Sequence, residues 1–125
     1  MKKLLKVVLV NSLILLCFSC YYDDLTDVPQ DEPIVIPPEQ TVLFSTDILP
    51  IFESYNCIEC HNGGAINPDL RPDRAYNALV PTYVVSGNSL DSRLYIKLAI
   101  DEHRNIDSES LALIKKWIDD GAEND

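Results

Sequence analysis

Cys57-Ile58-Glu59-Cys60-His61 sets two thiols two residues apart, with an imidazole directly beside the second. Upstream, Ser45, Thr46 or Asp47 can cap a helix whose apolar face is Ile48, Leu49, Ile51, Phe52 and Tyr55. Pro50 is compatible with that helix because it falls in the first turn, where a missing N–H goes unnoticed. Downstream come the glycine loop Asn62-Gly63-Gly64 and a turn around Asn67-Pro68-Asp69. The cysteines therefore stand just past a helix end and ahead of a flexible loop, an arrangement that lets the backbone wrap around a flat group.

The C-x-x-C-H pattern is the attachment signature of a c-type haem. Two thiolates at this spacing reach the two vinyl groups on one side of a porphyrin and form thioethers. The adjacent histidine then falls under the iron as its proximal ligand. Cys57, Cys60 and His61 are thus the candidate haem-binding residues, with His61 on the metal. Three other readings compete. A Cys57–Cys60 disulfide closes too small a loop to constrain much, and a thioredoxin-like redox pair needs an α/β domain. A Cys₂His₂ zinc site of Cys57, Cys60, His61 and His103 has the right donors, but adjacent Cys60 and His61 fit a tetrahedron poorly.

Further out, Asp73 to Leu79 reads as a short helix ended by Pro81. Ser92 to Ile100 reads as another, with Leu94, Tyr95, Leu98 and Ala99 inward. In the last helix, capped by Asp107 or Ser108, Leu111, Ile114, Trp117 and Ile118 form one stripe and Gly121 stops it. Asp119 and Asp120 sit at its negative end, at roughly a few tenths of a kcal/mol each. Several short helices without strand alternation predict an all-α domain. The first and last helices are expected to wall the haem pocket, and the buried haem to stand in for a large core and for disulfides.

The chain's 125 residues leave room for one small domain. Lys2, Lys3 and Lys6 precede an apolar run from Leu4 to Leu16, too short to span a bilayer and suited to a secretory leader. Cys17-Phe18-Ser19-Cys20 resembles a bacterial lipoprotein cleavage box, with Cys20 as the acylated residue because small Ser19 precedes it. Asp23 and Asp24 then resemble a surface-export signal. The expected organisation is a leader over 1–19, an acidic tether over 20–40 carrying Pro29, Pro33, Pro37 and Pro38, and the folded domain over 41–125. An exported protein is expected, lipid-anchored to the outer membrane on its periplasmic or cell-surface side. Without the leader, 7 Lys+Arg face 20 Asp+Glu, a net charge near −13. That argues against nucleic acid and anionic lipid as partners; it serves solubility first, and is compatible with a redox partner bearing a basic docking face.

The resemblance extends from Ile48 to Ala122. Ile48-Leu49-Pro50-Ile51-Phe52, the C-x-x-C-H motif, Pro68-Asp69-Leu70, Gly87-Asn88, Ser92-Arg93-Leu94-Tyr95 and Ile114-Lys115-Lys116-Trp117-Ile118-Asp119-Asp120-Gly121-Ala122 are similar to a class I mono-haem cytochrome c domain. The likeness is to the kind found in Bacteroidetes lipoproteins and in planctomycete-type domains. It implies a small cytochrome c-like fold in which the first and last helices cross, with Phe52 and Tyr55 near Trp117. It implies that the Pro68 carbonyl accepts the His61 imidazole N–H, against the simpler reading of an ordinary turn proline. Tyr83 and Arg93 become candidates for the haem propionates, against plain surface roles.

The chain departs from the family at the sixth iron ligand. Ile106 stands where a methionine is expected, and Met1 is the only methionine. His103 is then a candidate distal ligand, Lys97 another, and an apolar site capped by Ile106 and open to small gases a third. The leading expectation is a membrane-tethered single-electron carrier rather than an enzyme. The alternative is a haem-based gas or redox sensor, or a haem-binding module, with an open distal site. Nothing resembling the distal acid–base set of a peroxidase is visible.

Overall fold

The computed structural model describes residues 34–64 and 66–125. The leader and Cys20 lie outside the described residues. Pro33–Asp125 forms one compact unit.

Among the described residues there is no strand, and the domain is all-α. A wide helical turn, Phe44–Ile48, runs into α1 (Leu49–Ser54), with Pro50 in its first turn as anticipated. A tight turn over Cys57–Glu59 follows. Then come α2 (Ala75–Leu79), a second tight turn Ser89–Asp91, α3 (Arg93–Ala99) and α4 (Ser108–Asp119). Each helix carries few inward residues, so one shared core must serve them all. Ile48, Phe52, Leu79, Val84, Ile114, Trp117 and Ile118 make up its most deeply buried part.

The first helical segment packs on α4, but through residues nearer its N-terminal end than the resemblance implies. The rings beside Trp117 are Phe44, at a centroid separation of 5.1 Å, and Tyr76, at 6.5 Å, rather than Phe52 and Tyr55. The wide turn carries the segment's N-terminal end back as far as Phe44, whose ring also meets Tyr76 edge-on at 5.4 Å. Such aromatic triads add about 0.5–1.5 kcal/mol per pair beyond burial. Phe52 is released for the interior beside the cysteines, and Tyr55 reaches Asp107 instead.

The caps also differ from expectation at one end. None of Ser45, Thr46 and Asp47 occupies the cap position, which falls to Leu43; Asp47 instead reaches back and accepts the Leu43 N–H at 2.7 Å. The Asp125 carboxylate accepts the Ser45 N–H at 3.2 Å and the Ser45 hydroxyl at 2.7 Å, and it also accepts the Phe44 N–H. At α4, Asp107 is the cap, accepting the Ser110 N–H at 2.8 Å, and Gly121 ends the helix with φ of 119°. Asp119 and Asp120 are not left against the helix dipole. Lys116 holds Asp120 at 2.8 Å, Lys115 holds Asp119, and Asp119 also accepts the Ser89 N–H at 2.8 Å, pinning the second tight turn.

Residues 34–36 form no strand. Ile36 packs partly against the core, and Lys116 Nζ donates to the Pro38 carbonyl at 3.4 Å, so the end of the proline-rich stretch lies along the domain.

Candidate functional site

After α1, Asn56 takes a left-handed conformation with φ of 53°, which asparagine tolerates better than most residues. The chain reverses there and winds into the Cys57–Glu59 turn. The Cys57 carbonyl accepts the N–H groups of Cys60 at 3.3 Å and His61 at 2.9 Å. One helical turn brings positions i, i+3 and i+4 onto a common face. Cys57, Cys60 and His61 accordingly line one cavity. Both thiols are free, Cys57 buried and Cys60 exposed.

The loop beyond is arranged around His61. Gly63, at φ of 81°, turns the chain, and the Leu70 N–H donates to the His61 carbonyl at 2.8 Å, closing the loop on itself. Asp69 and Arg71 brace it with a two-pronged contact at 3.0 and 2.7 Å. The Arg71 guanidinium thereby holds the Asp69 carboxyl below its ordinary range. This places the Pro68 carbonyl oxygen 3.0 Å from His61 Nδ1. A carbonyl only accepts, so Nδ1–H is the donor in this contact.

The cavity encloses about 530 Å³, within the roughly 300–1,000 Å³ of pockets that hold cofactor-sized molecules. Phe52, Ile66, Leu70, Leu79, Leu94 and Leu98 supply its apolar walls. The expectation that the last helix walls the cavity is not met. The stripe Ile114, Trp117 and Ile118 is used up in the core, and α3 takes its place. Tyr83, Arg93, Lys97 and Arg104 add polar groups to the lining. Arg93 stacks over the Tyr83 ring at 5.2 Å, and neither Arg93 nor Arg104 has a carboxylate partner among the described residues. In a chain of net charge −10, two uncompensated guanidinium groups at one cavity favour an anionic occupant. Burial pushes the Cys57 thiol up from its ordinary value, against the pull of the Arg104 guanidinium.

His103 lines the same cavity, whereas Ile106 is buried in the core and absent from the cavity wall. Lys97 also lines it, with Nζ held by Asp101 at 3.0 Å. Among the described residues no three His, Cys, Asp or Glu side chains converge closely enough to hold a metal ion, so Cys57, Cys60, His61 and His103 do not form the Cys₂His₂ zinc site. The cavity role of Arg104 was not legible in the sequence, because nothing in its spacing marks which way a loop arginine turns.

The cavity thus brings two free thiols, two imidazoles and guanidinium groups unpaired among the described residues together against largely apolar walls. Compared with protein-family models, with curated proteins and with solved structures, the chain matches none.

Proposed function

We propose that the chain is a c-type cytochrome holding one covalent haem on Cys57 and Cys60, with His61 as the proximal iron ligand. The observation that carries this reading is the shared face of Cys57, Cys60 and His61 on a 530 Å³ apolar cavity, with His61 Nδ1 tied to the Pro68 carbonyl. Bound there, the haem supplies a single reversible electron by cycling its iron between the ferrous and ferric states.

The chain's own residues do the rest. Cys57 and Cys60 fix the ring by its edge, and the Pro68 carbonyl sets the plane and basicity of the His61 imidazole. Phe52, Leu79, Leu94 and Leu98, as apolar cavity walls, would exclude water from the bound group. Arg93 and Arg104, together with the Tyr83 hydroxyl, are the groups available to the propionates. A small domain whose 530 Å³ cavity is taken up by its cofactor leaves little space there for a substrate, which favours an electron carrier over an enzyme. Export, acylation of Cys20 and a tether ahead of the domain belong to the same proposal. They place the carrier at the outer membrane, exchanging electrons with a partner protein by a basic docking face.

The test is a reductive titration of the protein co-expressed with a haem-attachment system, followed in the visible spectrum. One reversible single-electron step with c-type bands is expected. A haem that reduces irreversibly, or only with a bound gas, would contradict the carrier reading.

A further inference from the structure

We propose that His103 is the second axial ligand, so that the iron sits between two imidazoles. This deepens the haem reading above and rests on it.

The two histidine rings face the same cavity with their centroids 6.2 Å apart and their planes at 71°. No hydrogen bond joins them, and a direct one would draw the centroids about an ångström closer. A metal–imidazole bond is about 2.0–2.1 Å, and a ring's centroid lies roughly an ångström behind its nitrogen, so two imidazoles on opposite sides of one metal have centroids roughly 6 Å apart. The observed spacing is compatible with a pair bridged by one metal atom.

The backbone holds His103 in this place. After α3, the Asp101 N–H donates to the Ile96 carbonyl at 3.1 Å, Glu102 turns left-handed with φ of 47°, and the His103 N–H returns to the Lys97 carbonyl at 3.1 Å. The residue is fixed to the end of the helix that walls the cavity. The competing groups are less well placed. Ile106 is turned into the core, so it does not cap the cavity as an apolar lid. Lys97 would have to leave Asp101 and lose its proton before it could ligate.

Two imidazoles give a six-coordinate, low-spin iron closed to carbon monoxide, with a lower potential than a histidine–methionine pair. The probe is carbon monoxide together with near-infrared magnetic circular dichroism of the haem-loaded full chain, which reads the axial pair directly. The ferric protein should show the bis-imidazole signature, and the reduced protein should bind no carbon monoxide. His103→Ala should lose that signature and gain carbon monoxide binding while keeping its covalent haem, and His103→Met should shift the midpoint potential upward. If His103→Ala does not accumulate, the wild-type spectrum decides alone. A high-spin or imidazole–amine signature in the wild type, or a His103→Ala spectrum unchanged from it, overturns the assignment and leaves the covalent haem standing. Absence of covalent haem overturns both.

Discussion

Tyr55 and Asp107 are joined reciprocally: the Tyr55 hydroxyl donates to the Asp107 carboxylate and accepts the Asp107 N–H, the latter at 3.0 Å. Tyr55 is the last residue before the chain reverses toward Cys57, and Asp107 caps α4. The clasp therefore fixes the entry to the site against the longest helix of the domain.

Removing it should cost stability in a pH-dependent way. The Tyr55 hydroxyl, followed by the Ser110 N–H, lowers the Asp107 carboxyl from 3.8 to about 2. A depressed carboxylate stabilises the fold above its ordinary value and loses that contribution as pH falls through about 2. Tyr55→Phe is expected to cost about 0.5–1 kcal/mol near neutrality, at the low end for a hydrogen bond because the pair is exposed. Urea unfolding at stepped pH should show the gap between the two proteins closing from about pH 4 down to pH 2.

Phe44 supports the only tryptophan of the chain. Phe44→Ala should cost about 3–5 kcal/mol, a large part of what a small domain has. Denaturant unfolding of the haem-loaded protein, followed by far-ultraviolet circular dichroism, reads the loss.

Gly63 is held at φ of 81°, and a Cβ there would meet Asp69 Oδ2 and Arg71 Nη2 at 2.6 Å. The two side-chain tips can move aside, so the strained backbone sets the cost, about 1–2 kcal/mol for Gly63→Ala. The variant should also loosen the His61–Pro68 contact, seen as a shift of the His61 ring nitrogens in ¹⁵N NMR.

With haem in place, Arg93→Gln removes a positive charge from the cavity. The ferric state carries more charge than the ferrous, so its relative stability rises and the potential falls, by on the order of tens of millivolts. Potentiometric titration of the two proteins measures the shift. An unchanged midpoint would place Arg93 outside the field of the iron.

The helical class, the last helix with its Asp107 cap and Gly121 stop, and the short C-x-x-C-H turn were legible because local spacing dictates them. The Pro68 contact was an even choice in the sequence, since a turn proline and an imidazole acceptor are written alike. The partners of Trp117 and the distant cap by Asp125 were not legible. Both depend on where segments far apart in the chain meet, which periodicity does not record. Cavity walls drawn from α3 rather than α4 have the same cause: two amphipathic helices carry equivalent stripes, and only packing assigns one to the core and the other to the pocket.

The central claim is the covalent attachment, and intact-mass spectrometry of the protein co-expressed with a haem-attachment system tests it most directly. The account expects a mass increase of one haem that survives denaturation, carried on the proteolytic peptide spanning Cys57 to His61 and abolished in Cys57→Ala/Cys60→Ala. An unmodified mass in the presence of a working attachment system, or haem that leaves the chain on denaturation, would contradict it.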